Sequence, residues 1–252
     1  MQRGVGRIKP LYSREIMATI GVNLQAVRQR IAAAARACGR APDSITLIAV
    51  SKTFDAETVA AAHACNQYVF GENYVQEALE KIRALANRSP GALEWHFIGP
   101  IQSNKTRLIA ENFAWVHSVD RLKIAERLAA ARPAGLAPLQ VCIEVNIGGE
   151  HSKSGVAAAD VLDLARAMAA LPRLQLRGLM AIPPASDDPA QQRRHFAAVH
   201  ELKDRLAAAG IALDTLSMGM SADLEAAIAE GATMVRVGTA IFGPRQSLMG
   251  NE

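Results

Sequence analysis

Lys52 stands two residues beyond an apolar run, in Ile45-Thr-Leu-Ile-Ala-Val-Ser-Lys-Thr53. At the rim of a low-dielectric interior, partial desolvation disfavours an ammonium, and the neutral amine is the nucleophile that condenses with an aldehyde. Most lysines instead lay their stems on the surface and keep the charged head in water. Position alone leaves Lys52 between these two fates. Two later runs, Leu216-Ser-Met-Gly-Met-Ser221 and Val235-Arg-Val-Gly-Thr239, each carry a small hydroxyl residue and a glycine at the end of an apolar segment. Glycine lets a phosphate approach the backbone, free N–H groups donate to it, and a following helix adds a favourable dipole. A tight strand-to-helix turn uses the same residues without any ligand, but two such turns close together point to phosphate. Arg236 interrupts the second run. Its side chain is therefore directed inward, toward a phosphate, an aromatic ring nitrogen or a structural salt-bridge partner.

These residues require a scaffold that gathers strand ends. From Ile16 to Cys38 apolar residues recur at helical spacing, and Gly39 ends the pattern. Eight short apolar runs follow: Ile45–Val50, Tyr68–Gly71, Trp95–Ile98, Trp115–Ser118, Leu139–Val145, Leu174–Met180, Leu213–Leu216 and Met234–Val237. Amphipathic stretches separate them. Asp55, Asp120 and Ser221 stand where N-caps are expected for helices over Ala56–Ala64, Arg121–Ala131 and Ala222–Glu230. Strict strand–helix alternation predicts parallel strands with helices outside, and eight units favour a closed (β/α)8 TIM barrel with an additional N-terminal helix. The carboxyl ends of the strands then form the active face, where Lys52 and both glycine turns belong. No GxGxxG follows the first strand, which weakens a dinucleotide-binding sheet.

The 252 residues fit one such barrel, and no Pro/Gly/Ser-rich linker divides them. Twenty-eight basic and 24 acidic residues give a net charge of +4, scattered along the chain, so no nucleic-acid footprint is expected. Cys38, Cys65 and Cys142 are odd in number and lack metal-ligand spacing, which implies neither a disulfide framework nor a metal site. No run approaches a membrane span and no signal peptide is evident, so a cytoplasmic protein is expected.

An amine nucleophile and a phosphate cradle in one barrel suit pyridoxal 5′-phosphate (PLP), and equally a lysine-dependent aldolase acting on a sugar phosphate. Seven blocks bear on the choice: Ala49–Thr53, Phe70-Gly-Glu-Asn-Tyr74, Trp95–Lys105, Val145–Gly155, Gly178-Leu-Met-Ala-Ile182, Leu216–Ser221 and Val235–Gly243. Together, in order and spanning about Ile16 to Arg245, they resemble the pyridoxal phosphate homeostasis protein family, itself similar to the N-terminal domain of alanine racemase. The resemblance implies that Lys52 carries PLP as a Schiff base. It implies that Ser217, Gly238 and Thr239 hold the phosphate and that Arg236 faces the pyridine nitrogen. A permanently cationic arginine there keeps the nitrogen unprotonated and the cofactor a poor electron sink. Asn73, His96, Met180 and Met220 are expected to line the pocket. The blocks Gln102–Lys105 and Glu150–Gly155 match without a physical role beyond loop and helix-start structure.

Residues 16–246 are thus expected to form the PLP-binding barrel, between an N-terminal extension (1–15) and a tail (247–252). Alanine racemase takes a tyrosine base from a second, β-rich domain, which is not expected here; racemisation needs bases on both faces of the substrate carbon. No catalytic residue is therefore assigned. A weak racemase-like enzyme, with Tyr74 or His96 as the missing base, is the alternative. The leading expectation is a monomer that buffers or delivers PLP and contacts PLP-dependent apoenzymes transiently.

Overall fold

The computed structural model describes residues 14–86, 93–149 and 154–244. Residues 1–13 of the expected extension and the tail 247–252 lie outside the described residues. Arg14 and Glu15 already belong to α1, which runs Arg14–Ala37.

The remaining elements alternate as the sequence predicts. Strands β1 (Thr46–Val50), β2 (Val69–Glu72), β3 (Glu94–Phe97) and β4 (Trp115–Val119) are interleaved with α2 (Ala56–Ala64), α3 (Val75–Leu85) and α4 (Thr106–Asn112). Then come α5 (Leu122–Ala131), β5 (Leu139–Asn146), a two-residue β6 (Val156–Ala157), α6 (Val161–Ala169), β7 (Leu174–Ala181) and α7 (Pro189–Ala208). The chain ends through β8 (Thr215–Ser217), α8 (Leu224–Ala229), β9 (Met234–Val237) and α9 (Thr239–Phe242). The sheet order is β4-β3-β2-β1-β9-β8-β7-β5, and a β4–β5 pairing closes it. Every pairing is parallel. This is a closed eight-stranded TIM barrel. The sequence patterns do not anticipate β6. It pairs with Val145 and Asn146 on the edge of β5 that β4 leaves vacant above Val119.

Inside the barrel, Ile48, Trp115, Cys142, Met180 and Met234 pack into one layer, and the larger core lies between strands and helices. The barrel is filled, not a pore. The last β/α unit ends in the four-residue α9, too short to cover the strands on its own. Helix α1 supplies the cover, packing on α2, α8 and α9, with Asn23 donating to the Ile241 carbonyl at 2.9 Å.

The caps divide. Asp55 caps α2, accepting from the Thr58 amide at 2.8 Å. Asp120 does not cap α5: its carboxylate takes both Arg121 Nη1 contacts (2.6 and 2.8 Å), and Arg121 occupies the cap position without a side-chain bond. Ser221 is also displaced, because the turn before α8 is fastened by Asp223 accepting from the Met220 amide at 2.6 Å. No helix among the described residues is long and apolar enough to cross a membrane.

Candidate functional site: the carboxyl end of the barrel

Lys52 leaves β1 on a turn anchored from beneath. Thr53 adopts a left-handed φ of 69°, which an L-residue holds only when its surroundings impose it. The restraint is a buried polar cluster. Lys81 of α3 donates to the Ser51 carbonyl (2.7 Å), Glu72 Oε1 (2.7 Å) and Glu77 Oε1 (2.5 Å). Ser51 Oγ also donates to Glu72 Oε1 at 2.6 Å, and the Thr53 amide donates to Glu77 Oε1 at 2.6 Å. Burial pushes the Glu72 carboxyl upward, and the Lys81 ammonium opposes that shift.

Arg236 sits on the neighbouring strand. It pairs in register with Ile48, and Met234 two residues earlier belongs to the interior layer, so Arg236 also faces inward. It is 4% exposed. Its Nη1 donates to the carbonyl and the hydroxyl of Ser217 (2.7 Å each), and Nη2 donates to the Ala181 carbonyl at 3.0 Å. All three acceptors are neutral, and among the described residues no carboxylate lies within ion-pair distance. Burial lowers the guanidinium to about 10, still cationic at neutral pH. Behind Ser217 the polar contacts continue inward: Oγ to His117 Nδ1 (2.8 Å), His117 Nε2 to His96 Nδ1 (2.9 Å), and His96 Nε2 to Glu94 Oε1 (2.8 Å).

Across the mouth, a cavity of about 270 Å³ is lined by Asn73, Ile98, Pro100, Glu144, Val145, Asn146, Ser154 and Ile182. All follow or end strands at the carboxyl face. Asn73 Oδ1 is buried there without a hydrogen-bond partner among the described residues. Gly99 explains how Asn73 is held: a Cβ at residue 99 would collide with the Asn73 backbone, so only glycine permits this approach. Glu144 shares a strand face with Cys142 and so points into the barrel. Burial first, then Asp120, raise its carboxyl to about 7 against the pull of Arg236. A neighbouring cavity of about 290 Å³ is bounded by Asn73, Tyr74, Gln76, Gln102 and Lys105 among others.

The expected residues lie toward the carboxyl ends of the strands at different depths, and of the nine only Asn73 lines the cavity of about 270 Å³. Lys52, Asn73, Met220 and Gly238 lie on loops beyond the strand ends, and Thr239 opens α9. Met220 is 38% exposed, and Thr239, the first residue of α9, is also exposed. Ser217 and Arg236 are buried and bonded to each other. Met180 and His96 lie deeper: Met180 packs in the interior layer and His96 is 0% exposed beneath the mouth. Ile182, two residues past Met180, lines the cavity instead. Tyr74 is 54% exposed and faces the neighbouring cavity. The block Gln102–Lys105 acquires a place as the wall of that cavity, through a 3-10 turn at Ser103–Lys105. Of the block Glu150–Gly155, residues 150–153 lie outside the described residues. Gly155 (φ 110°) packs so tightly on β5 that a Cβ would meet the Asn146 amide nitrogen at 2.7 Å.

Sequence reasoning did not single out Glu72, Lys81, Glu94, His117, Glu144 or Asn146. Within β5 a signal exists, since Gln140, Cys142, Glu144 and Asn146 alternate with Leu139, Val141, Ile143 and Val145. Period-2 alternation in a strand otherwise buried marks an interior face carrying polar groups.

Residues 22–246 match the family model described as alanine racemase, N-terminal domain. The chain is 58% identical over 229 residues to a pyridoxal phosphate homeostasis protein of Pseudomonas aeruginosa, covering 91% of this chain and 97% of that protein. It is 54% identical over 233 residues to the protein of the same name in Escherichia coli, covering 91% and 98%. Among solved structures, PipY of Synechococcus elongatus, with PLP bound, superposes with a TM-score of 0.77 at 37% identity, covering 89% of this chain and 100% of that one. Alanine racemase of Corynebacterium glutamicum shares the fold (TM-score 0.67) at 18% identity, with 94% of this chain and 64% of that chain covered. With near-complete coverage at identities above one half, the chain belongs to the pyridoxal phosphate homeostasis protein family.

Proposed function

We propose that this protein binds PLP in the mouth of the barrel, holds it covalently on Lys52, and buffers or delivers it inside the cell. The observation that carries this reading is the arrangement at the carboxyl face. Lys52 stands on a rigid turn, a buried Arg236 lacks a carboxylate partner among the described residues, and a cavity of about 270 Å³ contains an orphaned Asn73 Oδ1. That volume lies near the lower end of small-ligand sites, roughly 300–1,000 Å³, and suits a single-ring ligand. A buried cation without a paired anion and a buried amide oxygen without a donor fit a phosphorylated, hydroxylated aromatic aldehyde.

The Lys52 amine condenses with the cofactor's aldehyde and water leaves. Gly238 and Thr239, at the start of α9, take the phosphate together with Ser217. Gly238 leaves the backbone open, since a Cβ there would lie 3.1 Å from the Val50 carbonyl oxygen. Arg236 faces the ring nitrogen, with Asn73, Met180, His96 and Met220 around the ring or beneath it. The Ser217 hydroxyl is turned toward Arg236 and His117 and its carbonyl also accepts from Arg236, so Ser217 serves the site by fixing Arg236, and a direct bond to phosphate would require its hydroxyl to turn. We read the protein as a carrier, cytoplasmic and monomeric, that meets PLP-dependent apoenzymes transiently. Its match to nearly the whole length of the homeostasis proteins supports the carrier part of that reading. The two residues considered as a racemase base are poorly placed for it: His96 is sealed in the interior and Tyr74 borders the other cavity.

The test is spectroscopic. Wild-type protein incubated with excess PLP and desalted shows a visible absorbance band, and Lys52→Ala loses it. A colourless wild type overturns the proposal. Deuterium incorporated at the α-carbon of single amino-acid enantiomers would favour the racemase-like alternative.

A further inference from the structure

Five side chains cross the barrel interior in a continuous line, of which the proposed cofactor contacts name Arg236, Ser217 and, more deeply, His96. We propose that Glu94, His96 and His117 are positioning residues for Arg236, acting through Ser217 in a one-directional hydrogen-bond chain that holds both histidines as neutral Nε2–H tautomers.

The direction follows from the ends. Glu94, ionised, can only accept, and Arg236 can only donate. His96 Nε2 lies 2.8 Å from Glu94 Oε1 and must carry the proton. A neutral His96 then presents a bare Nδ1 to His117 Nε2 at 2.9 Å, so that nitrogen is N–H. His117 in turn has a bare Nδ1, which accepts from the Ser217 hydroxyl at 2.8 Å. With its proton committed inward, Ser217 Oγ offers a lone pair to Arg236 Nη1 at 2.7 Å. Every donor points from Arg236 toward Glu94.

The reverse order fails. An Nδ1–H on His117 would leave bare nitrogens facing each other at 2.9 Å, unless one ring became an imidazolium. Both rings are 0% exposed, and burial lowers both, His117 well below the usual range with His96 and Arg236 adding to the effect. The His96 hydrogen bond in turn holds the Glu94 carboxyl below its ordinary value, so the terminal acceptor is charged. Aligned bonds of this kind polarise one another, which strengthens the last one. Glu94 opens β3 and its side chain is 45% exposed, so the terminal acceptor of the chain sits at the amino end of the barrel near Arg177, while the carboxylates whose charge acts on Arg236 itself are Asp223 and Glu144. The tautomers and the fixing of Arg236 stand without the cofactor; only the effect on its binding rests on the proposed function.

The test begins on protein without added PLP. Long-range 1H–15N correlation spectra of histidine-labelled protein resolve the tautomers of the six histidines, with His96→Gln and His117→Asn used for assignment. Protonated Nε2 and bare Nδ1 at both positions, unchanged from pH 8 to 5.5, is the expected result. An imidazolium or an Nδ1–H tautomer at either residue overturns the chain. Glu94→Gln keeps an acceptor oxygen and preserves the pattern, whereas Glu94→Leu, at a half-exposed site, mixes the His96 tautomers. An unchanged pattern in Glu94→Leu also overturns it. PLP titrations then read the positioning role. Glu94→Leu and His117→Asn weaken binding about tenfold, the loss expected for one weakened charge-assisted hydrogen bond, and shift the absorbance maximum of the bound cofactor. Wild-type affinity and spectrum in both variants overturn the positioning role. A wild type that binds no PLP overturns the proposed function and leaves the tautomer result standing.

Discussion

Lys81→Met tests the footing of the Lys52 turn. The ammonium of Lys81 lies 2.7 Å from a Glu72 carboxylate that is 0% exposed and whose second oxygen already lacks a partner among the described residues. Methionine fills nearly the same volume but leaves that charge buried alone, a change that costs about 3–5 kcal/mol in comparable pairs. For a domain of this size each kcal/mol lowers Tm by roughly 2–4 °C, so the melt should fall by about 6–20 °C. The cost depends on pH. Burial already raises the Glu72 carboxyl, and Lys81 is the largest influence opposing that shift. Without it the folded value climbs further above the unfolded one. Stability of the variant is then fullest below the unfolded carboxylate value and is lost as pH rises through the folded one. Urea denaturation of wild type and Lys81→Met at pH 5 and pH 8 should show the larger loss at pH 8. Glu72→Leu added to Lys81→Met should recover most of it, because the lone charge, not the missing bond, carries the cost. A loss under about 1 kcal/mol at pH 8, or a larger loss at pH 5, would refute the reasoning.

Other perturbations probe separate joints. Glu144, raised to about 7, binds its proton more tightly folded than unfolded, so its contribution is complete below about 4.5 and disappears as pH rises to about 7. The stability difference between wild type and Glu144→Gln should therefore decline across that window; a flat difference means an ordinary carboxylate. Asp55→Ala removes the α2 cap and should cost about 1 kcal/mol by denaturant titration, with no change contradicting the cap. Gly99→Ala must displace the Asn73 backbone, so it should weaken PLP binding as well as stability, and wild-type affinity would show that Asn73 is not held there.

The barrel was legible because its signals are local and repeated. Eight apolar runs alternate with amphipathic stretches, and each strand boundary falls within about two residues of its run. Where the caps were misread, short polar side chains had a nearer partner: Asp120 turns to Arg121, and Asp223, not Ser221, fastens the turn before α8. The short β6 follows residues outside the described set and pairs over only two positions, too few for any pattern. At the site, Lys52, Arg236 and the glycine turns announced themselves as polar or flexible residues ending apolar runs. The groups behind them did not. Ser51, Glu72 and Lys81 come from three elements and meet only in the closed barrel, and His117 and Ser217 touch across 100 residues of chain. Depth was equally hidden: His96 stands within the third apolar run and lies under the mouth, whereas Asn73 stands just past the second and lines it.

The two cations proposed to face the cofactor are supported in opposite ways, and the difference bears on what the site does. Beneath Lys52, the charges are close and local: Lys81, Glu72 and Glu77 lock the backbone of the turn and leave the Lys52 side chain to its own contacts. Around Arg236, no carboxylate among the described residues is within ion-pair distance, Asp223 and Glu144 act on it from farther off, and what reaches the mouth is a guanidinium pinned by carbonyls and one oriented hydroxyl. A guanidinium that stays cationic at neutral pH is too weak an acid to give its proton to a ring nitrogen, so a contact from Arg236 would favour an unprotonated ring, a poorer electron sink. Arg236→Glu provides the contrast: a carboxylate there could protonate the ring nitrogen. If Arg236 suppresses turnover, holoprotein carrying that substitution should exchange amino-acid α-protons faster than wild type; no increase, with PLP still bound, would remove Arg236 as the cause.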